Sequence, residues 1–306
     1  MVKMMSFSQK VKEELCAQPM EKRCCILAES YGILLFSNVF RSDEIRLITQ
    51  SEALAKRASA LFSHAFGIRI PALQNTENGR YIIKIEDATS IFRIFDALNL
   101  DPDVTGIRLN DTLVSKPCCQ GAFVRGAFLS GGSVAAPDTR YHLEFSTPYR
   151  SFSDALVSLL EQLSLAPRVT MRAGKYMIYL KRSEAIEELL TRAGAHQAAL
   201  AVMQAKVVKE VRNGVNRYVN CETANISKTV EAARMQTQAI RRLSENGRLD
   251  ALPETLRLTA QLRLENPEAS LSALGRMFSP PVNRATLNYR LKKIVELSAG
   301  LCGEEG

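Results

Sequence analysis

Hydrophobic residues in the first two-thirds of the chain follow helical and strand periods in one order, and that order occurs twice. Apolar residues three and four apart predict helices, whereas alternation of apolar and polar residues predicts strands. The first copy predicts a helix over residues 24–38, a strand Ile45–Thr49, a helix over 51–66, a hairpin with strands 68–70 and 80–86 around Asn78-Gly79, and a helix over 88–98. The second copy predicts a helix containing residues 125–134, a strand over 141–146, a helix over 151–163, a hairpin with strands 168–171 and 175–180 around Ala173-Gly174, and a helix over 183–192.

Individual residues of the two copies match at a nearly constant distance of ninety-four or ninety-five positions. The matching residues are Cys24-Cys25 with Cys118-Cys119, Gly32 with Gly126, Tyr81 with Tyr176, and Ile91 with Ile186. Because this spacing holds across a whole unit, we infer an internal duplication.

Small residues occur in the first helix of each copy, where apolar ones would be expected. Gly32 is followed by Ser37-Asn38 in one helix, and the other contains the run RGAFLSGGSV. Glycine and serine lower helix propensity, but they let two helix backbones approach closely. We expect these two helices to pack together and form the axis of a duplicated domain.

A stretch rich in side-chain amides follows the duplication. After a helix predicted over residues 195–210, the run VRNGVNRYVNCETANISK contains the polar candidates Arg212, Asn216, Arg217, Asn220, Asn225 and Lys228. One interpretation is a loop whose asparagines complete turns and caps, with Asn225 capping a helix over 226–243. The other is a hinge that packs two domains together or touches a DNA backbone. The sequence leaves both open.

Three helices are predicted near the end of the chain, over residues 253–264, 271–278 and 284–297. Ser270 and Asn283 are suited to cap the second and third of them. A tight turn at 279–282 joins these two helices, and the third is rich in Arg, Asn, Tyr and Lys. This pattern is typical of a helix-turn-helix.

Helical geometry divides the third helix into a buried stripe, Leu287, Leu291 and Ile294, and an exposed face, with no acid between Asn283 and Lys293. N-terminal residues of such a helix reach base edges, whereas basic residues further along contact phosphates. The candidate base-reading residues are Asn283, Arg284, Ala285, Thr286 and Asn288; the candidate phosphate contacts are Arg290, Lys292 and Lys293; Ser270 and Tyr289 complete the expected DNA-binding set. The alternative is an ordinary amphipathic helix with a soluble basic face.

Charge supports the DNA interpretation only weakly. The 306-residue chain has a net charge of +8, and residues 206–296 alone contain 16 Lys and Arg against 9 Asp and Glu. A basic region is the electrostatic footprint of a nucleic-acid-binding module. No apolar run reaches the length of a membrane span, and the first twenty residues predict an amphipathic helix and not a signal peptide.

The seven cysteines predict reduced thiols in the cytoplasm, because the number is odd and no extracellular feature accompanies them. The pseudo-symmetry could bring the two vicinal pairs together as four metal ligands. Vicinal cysteines are, however, a poor zinc chelate beside the usual spacing of two intervening residues. We therefore expect small buried residues at the helix starts, with no metal and no cofactor.

The duplicated order of elements resembles the two halves of a LAGLIDADG homing-endonuclease domain, over the first two-thirds of the chain. In that family the two glycine-rich helices pack at a pseudo-twofold axis, the sheets form a saddle over DNA, and each helix ends in a metal-binding carboxylate. Here Ser37 and Gly131 stand at those two positions. Neither supplies the hard anionic oxygen that Mg²⁺ requires, so the resemblance implies a retained fold without nuclease chemistry.

An active endonuclease with unconventional ligands is the alternative. Its candidate acids are Glu29, one helical turn before Gly32, and Asp138 and Glu144, which follow the second helix. The sequence does not place these acids as a pair at the twofold axis.

Three motifs together make the whole chain similar to the WhiA family: RGAFLSGGSV, NRYVNCETANISKT and PPVNRATLNYRLKKI. That resemblance implies a bacterial DNA-binding protein, without enzymatic activity, that regulates transcription in cell division, chromosome segregation or sporulation. It also implies double-stranded DNA as partner and a nucleoid location. A separate hypothesis is that the duplicated domain binds a second protein, and the sequence does not distinguish this from DNA binding by the saddle of that domain. Because the duplication supplies its own twofold, we expect a monomer.

The expected fold is α+β, a pseudo-twofold duplicated LAGLIDADG-like αββ domain followed by an all-α helix-turn-helix domain. Its predicted parts are an N-terminal helix (1–20), the duplicated domain (21–195, with halves 21–100 and 115–195), a linker (196–225) and the helix-turn-helix domain (226–300).

Overall fold

The computed structural model of the protein describes residues 5–71, 73–75, 79–101 and 109–300. The elements up to the end of the first copy are α1 (Phe7–Cys16), α2 (Arg23–Leu35), β1 (Val39–Phe40), β2 (Ile45–Thr49), α3 (Glu52–Phe66), β3 (Leu73–Asn75), β4 (Arg80–Ile85) and α4 (Ala88–Ala97). The second copy contains α5 (Pro117–Gly131), β5 (Gly132–Val134), β6 (Leu143–Thr147), α6 (Arg150–Gln162), β7 (Arg168–Arg172), β8 (Lys175–Leu180) and α7 (Ser183–Ala193). The remaining helices are α8 (His196–Glu245), α9 (Glu254–Glu265), α10 (Leu271–Arg276) and α11 (Arg284–Gly300).

Each copy forms one antiparallel sheet of four strands, with the equivalent orders β1-β2-β4-β3 and β5-β6-β8-β7. Thr49 pairs with Tyr81 in the first sheet, and Thr147 pairs with Tyr176 in the second. The register therefore confirms the tyrosine match and the duplication. The sequence did not predict β1 and β5, because two and three residues are too few to show an alternating period.

The two central helices, α2 and α5, approach each other to backbone contact. A Cβ atom added to Gly32 would lie 2.2 Å from the Phe123 carbonyl oxygen and 2.8 Å from the Ala127 nitrogen. A Cβ atom added to Gly126 would lie 2.1 Å from the Glu29 carbonyl oxygen. Phe123 and Glu29 are themselves ninety-four positions apart, so the two contacts are equivalent about a pseudo-twofold axis. The predicted packing of the two helices is confirmed.

The first hairpin differs from its prediction. Its outer strand is β3 and not residues 68–70, and Asn78 of the expected turn lies outside the described residues. Ile68 follows the left-handed Gly67 that ends α3 (φ 69°) and is only 5% exposed, without strand pairing. The apolar run at 68–70 therefore reflects burial in the core. The second hairpin turns where predicted, at Ala173-Gly174, where φ values of 48° and 73° suit a two-residue hairpin turn.

The predicted N-terminal helix is α1, and it anchors the start of α8. Val11 and Leu15 of α1 are buried in the core of the duplicated domain. The Glu14 carboxylate accepts hydrogen bonds from the backbone nitrogens of Gln197 (2.6 Å) and Ala198 (3.1 Å). Because a carboxylate at a helix N-terminus also meets the positive end of the helix dipole, this contact stabilises the first turn of α8.

α8 is one helix of 50 residues, and it runs through the whole predicted linker 196–225. The loop expected over 211–228 and the capping role of Asn225 are therefore wrong, whereas the contact of this segment with a DNA backbone stays a prediction. No proline occurs between His196 and Glu245, and asparagine costs at most about 0.7 kcal/mol relative to alanine in a helix. The asparagines therefore do not destabilise the helix enough to end it. Among the described residues, neither α8 nor any other helix has the apolar length that a bilayer crossing requires.

The chain divides within α8 into two units, Met1–Glu210 and Val211–Gly306. The second unit contains the C-terminal part of α8 together with α9, α10 and α11. Its own core consists of Ile240, Leu243, Leu256, Ala260, Leu274, Leu287, Leu291 and Ile294. The all-α helix-turn-helix domain predicted after the duplication is therefore present.

Gly32→Ala and Gly126→Ala are each expected to lower the free energy of unfolding by roughly 1–3 kcal/mol or more, because the added methyl group meets backbone that cannot move aside. Gly214→Ala is the matched control. Gly214 lies inside α8 with no atom within 4 Å of an added Cβ. This change should therefore raise the free energy of unfolding by about 1 kcal/mol, because alanine has a higher helix propensity than glycine. Urea unfolding followed by circular dichroism measures the three effects. Equal stability of Gly126→Ala and the parent would contradict the backbone contact.

Candidate nucleic-acid interface

A polar cap at its start and an apolar stripe along one face position α11. The Asn283 Oδ1 atom accepts a hydrogen bond from the backbone nitrogen of Thr286 at 2.8 Å, as an N-cap residue does. Leu287, Leu291 and Ile294 are fully buried, so the predicted stripe is confirmed. The rest of the helix surface is thereby turned away from the core.

The residues predicted to contact DNA lie on this outward surface. The exposed ones are Asn283, Arg284, Ala285, Asn288, Tyr289, Lys292 and Lys293, and the half-buried ones are Thr286 and Arg290. The guanidinium carbon of Arg290 lies 5.7 Å from the centre of the Phe278 ring, a cation–π contact that holds Arg290 against the preceding turn. Tyr289 is 68% exposed, so its ring is accessible to a ligand on this surface.

The turn between α10 and α11 depends on a glycine. The Val282 nitrogen donates a hydrogen bond to the Gly275 carbonyl oxygen at 2.9 Å. A Cβ atom at Gly275 would lie 2.2 Å from the Val282 carbonyl oxygen. Only glycine allows the chain to return this closely over α10, so Gly275 sets the geometry between the two helices.

A buried arginine holds the loop before α10. Arg263 is 2% exposed, and its Nη1 atom donates to the Ala269 carbonyl oxygen at 2.7 Å. Burial lowers the pKa of Arg263, but a guanidinium stays protonated in proteins. Ser270, which follows Ala269 in the chain, caps α10, because its Oγ atom accepts a hydrogen bond from the backbone nitrogen of Ala273 at 3.2 Å. The buried cation thus fixes where α10 begins.

A cleft of about 600 Å³ joins α8 to the helix-turn-helix. It is lined by Asn225, Lys228, Thr229, Ala232, Gln236, Arg263, Ser270, Leu271, Ser272, Arg284 and Asn288. Two of the linker candidates, Asn225 and Lys228, therefore line the same cleft as three of the DNA-binding candidates, Ser270, Arg284 and Asn288. No acid occurs among the lining residues, and Lys228 and Arg284 are exposed cations, so the cleft attracts anions.

Sequence reasoning missed Thr229, Gln236 and Ser272 as parts of this cleft. On a helix, positions 225, 228, 229, 232 and 236 lie on one face, because they are three and four apart. Interpreting the segment as a loop hid that spacing. The other linker candidates, Arg212, Asn216, Arg217 and Asn220, do not line the cleft and lie further toward the N-terminus of α8.

The two positions at the ends of the central helices do not fit a hard metal ion. Ser37 is 3% exposed, and its Oγ lies 2.7 Å from the Leu34 carbonyl oxygen and 2.9 Å from that of Val39. A Cβ atom at Gly131 would lie 2.8 Å from the Ser146 carbonyl oxygen, so no side chain fits there. Neither position presents a carboxylate, the ligand that Mg²⁺ prefers.

Glu29, the first alternative acid, is occupied in a buried ion network. Its Oε1 lies 2.5 Å from Arg57 Nε, and its Oε2 lies 2.9 Å from both Arg57 Nη2 and Arg125 Nε. Arg57 also donates to the Cys16 carbonyl oxygen, and Arg125 to that of Ala193. Both oxygens of Glu29 are thus used to join α2, α3 and α5, which leaves no free ligand for a metal ion.

The other alternative acids, Asp138 and Glu144, are not joined in a metal-binding group. Asp138 is exposed after β5. Glu144 on β6 accepts a hydrogen bond from Ser133 Oγ at 3.2 Å and pairs with His142 Nε2 at 3.0 Å. Within the described ranges, three or more potential ligands converge at one place only, the four cysteines at the starts of α2 and α5. The expectation that they are buried holds for Cys119 only, because Cys24 and Cys25 are half-buried and Cys118 is exposed.

Comparison with known proteins places both units in one family. Residues 120–212 match the WhiA LAGLIDADG-like domain, and residues 215–298 match the WhiA C-terminal HTH domain. The probable cell division protein WhiA of Desulfitobacterium hafniense (strain Y51) is 38% identical over 97% of this chain and 96% of its own length. The probable cell division protein WhiA of Heliobacterium modesticaldum is 35% identical over 99% of this chain and 98% of its own length. The crystal structure of full-length WhiA from Thermatoga maritima superposes with a TM-score of 0.60 at 25% identity, covering 96% of this chain and 98% of that one.

Glu29→Gln is expected to lower the free energy of unfolding by roughly 3–5 kcal/mol, because it leaves the buried Arg57 and the half-buried Arg125 without their counter-ion. Glu188→Gln is the matched control, since Glu188 pairs with Arg192 on the surface at 2.6 Å. Loss of that exposed pair should cost no more than about 0.5 kcal/mol. Urea unfolding of both variants measures the difference. Similar costs for the two variants would show that the network does not stabilise the fold.

Proposed function

This chain belongs to the WhiA family, and we propose that it is a sequence-specific DNA-binding protein that regulates transcription without cutting DNA. The relatives named above are probable cell division proteins, so cell division is the process that we assign to it first. Chromosome segregation and sporulation are the other processes that membership of the family implies.

The observation that carries this proposal is the basic, exposed face of the first part of α11. From Asn283 to Lys293 the helix contains four basic residues and no acid. A helix that follows a tight turn can enter the major groove with its N-terminal residues against the base edges. Arg284 is suited to the O6 and N7 atoms of guanine, and Asn288 to the N6 and N7 atoms of adenine.

Basic residues on both sides of this face would fix the protein on the DNA backbone. Lys292 and Lys293 are exposed further along α11, and Lys228 lines the same cleft as Arg284. Phosphate contacts of this kind give affinity and orientation without reading sequence. The C-terminal part of α8 is thus a second phosphate-binding element beside the helix-turn-helix.

The absence of cleavage follows from Ser37 and Gly131. Phosphodiester hydrolysis by this fold needs metal ions that stabilise the attacking and leaving oxygens. One of the two positions is a backbone-bonded serine, and the other is a glycine with no space for a side chain. Glu29 is held by two arginines and is not a substitute. We further infer that the chain binds as a monomer, since the duplication already supplies the pseudo-twofold.

Arg284→Ala and Asn288→Ala are each expected to lower the preference for a selected DNA site over random DNA, at a cost on the order of 1–3 kcal/mol. The measurement is fluorescence anisotropy with both DNAs after selection of genomic fragments by the full chain. Mg²⁺ is present, and the fragments should be recovered intact. Equal loss of affinity for both DNAs would remove these residues from base reading, and cut fragments would refute the non-nuclease assignment.

Lys292→Ala is expected to weaken binding to all DNA sequences. It should also reduce the slope of log Kd against log salt, by the amount that about one phosphate contact contributes. Arg150→Ala is the control, because Arg150 has an equal charge on α6 and its side chain is 78% exposed. Binding is titrated at several salt concentrations for each variant. An unchanged slope for Lys292→Ala, or a reduced slope for Arg150→Ala, would place the DNA elsewhere.

A further inference from the structure

The first turns of α2 and α5 bring four cysteines together at one end of the pseudo-twofold axis. Cys24 and Cys25 come from α2, and Cys118 and Cys119 from α5. All four sulfur atoms lie within 4.8 Å of one another. The distance within each pair is 4.0 Å for the first and 3.9 Å for the second. The convergence joins residues that are ninety-four positions apart in the chain.

We propose that these four cysteines bind one Zn²⁺ ion as a tetrathiolate site. With zinc–sulfur bonds of about 2.3 Å, sulfur atoms at the corners of a tetrahedron are roughly 3.8 Å apart. The distances within the two pairs already match this value. The longest separation, 4.8 Å, needs to close by about 1 Å, which side-chain rotation can supply.

The geometry removes the objection that vicinal cysteines chelate poorly. That objection applies to a single pair in which adjacent side chains diverge. Here each pair contributes both sulfur atoms from one helix, and the two helices face each other across the axis. The four ligands therefore come as two from each helix, an arrangement that is compatible with tetrahedral coordination.

The helix dipoles and the neighbouring cations favour negative charge at this place, although burial raises the pKa of the Cys25 and Cys119 thiols. Both pairs lie in the first turn of a helix, of 13 residues in α2 and 15 residues in α5, where the helix dipole is positive. A zinc ion with four thiolates has a net charge of −2. Lys22, Arg23 and Lys116 adjoin the pairs and are exposed, and no acid lies between Glu21 and Glu29 in the chain. The surroundings therefore compensate the charge of the complex.

The number of protein ligands distinguishes this site from a catalytic one, and the burial of the cysteines shows where an ion can enter. Cys119 is buried, Cys24 and Cys25 are half-buried, and Cys118 is exposed, so an ion can enter from solvent on the Cys118 side. Four protein ligands leave no open position for water or substrate. The zinc would therefore be structural and would tie the N-terminal ends of α2 and α5 together. Gly32 and Gly126, where the helices cross, lie about two helical turns further along.

The test is metal titration of the reduced, metal-free full chain. Co²⁺ is added first, because tetrahedral cobalt thiolates show sulfur-to-metal charge-transfer bands and intense d–d bands. We expect saturation at one Co²⁺ per chain, displacement by one Zn²⁺, and a midpoint of thermal unfolding that rises with free Zn²⁺. The Zn²⁺ content of protein purified without chelator is measured in parallel by mass spectrometry.

Cys118→Ser and Cys221→Ser form a matched pair, since both cysteines are exposed. Cys118→Ser should abolish the tetrathiolate spectrum and the response of the unfolding midpoint to Zn²⁺, with the metal-free protein still folded. Cys221→Ser on α8 should behave as the parent does. Three outcomes would overturn the proposal: no metal uptake by the parent with all thiols reactive, the cobalt spectrum persisting in Cys118→Ser, or two disulfides within the cluster that form in preference to the zinc complex.

Discussion

The first unit depends on the contact between the backbones of α2 and α5. At Gly32 and Gly126 each helix lies against the main chain of the other, with no room for one methyl group. This contact fixes the spacing of the two copies and therefore the position of both sheets, which attach to the C-terminal ends of the same helices. It also brings the buried Glu29 on α2 next to Arg125 on α5, so that one ion network joins the copies. A buried charge group of this kind specifies one arrangement, because partial pairing would be costly.

The two ends of the same helix pair have different chemistry. At the C-terminal ends, Ser37 is bonded to backbone carbonyl groups and Gly131 has no space for a side chain, so neither position presents a carboxylate. At the N-terminal ends, the same close approach gathers the four cysteines. DNA recognition has its proposed place in the second unit, where Gly275 and Arg263 set the geometry of α10 and α11. The packing of the two helices and the chemistry at their ends therefore depend on different residues.

Much of the fold could be predicted, because the duplication repeats spacing as well as residue type. Gly32 and Gly126 indicated the helix contact, and Leu287, Leu291 and Ile294 indicated the buried face of α11. Burial and strand pairing produce the same apolar run, however, so Ile68 was assigned to a strand that it does not join. The amides of α8 suggested a loop because each favours turns locally, although their summed cost is small against a long helix. That Lys228 and Arg284 line the same cleft depends on tertiary packing, which no local pattern contains.

The most direct test of the account asks which unit contacts DNA. Hydroxyl-radical footprinting of the full chain, free and bound to a selected DNA fragment, compares side-chain oxidation at Tyr289 and at Met177. Tyr289 is exposed on α11, and Met177 lies on the face of β8 opposite the buried Ile178. If α11 reads the site, DNA protects Tyr289 strongly and leaves Met177 as reactive as in the free protein, which is the result that we expect. Protection of Met177 with unchanged oxidation of Tyr289 would show that the duplicated unit still holds DNA in its saddle, and that α11 does not read the site.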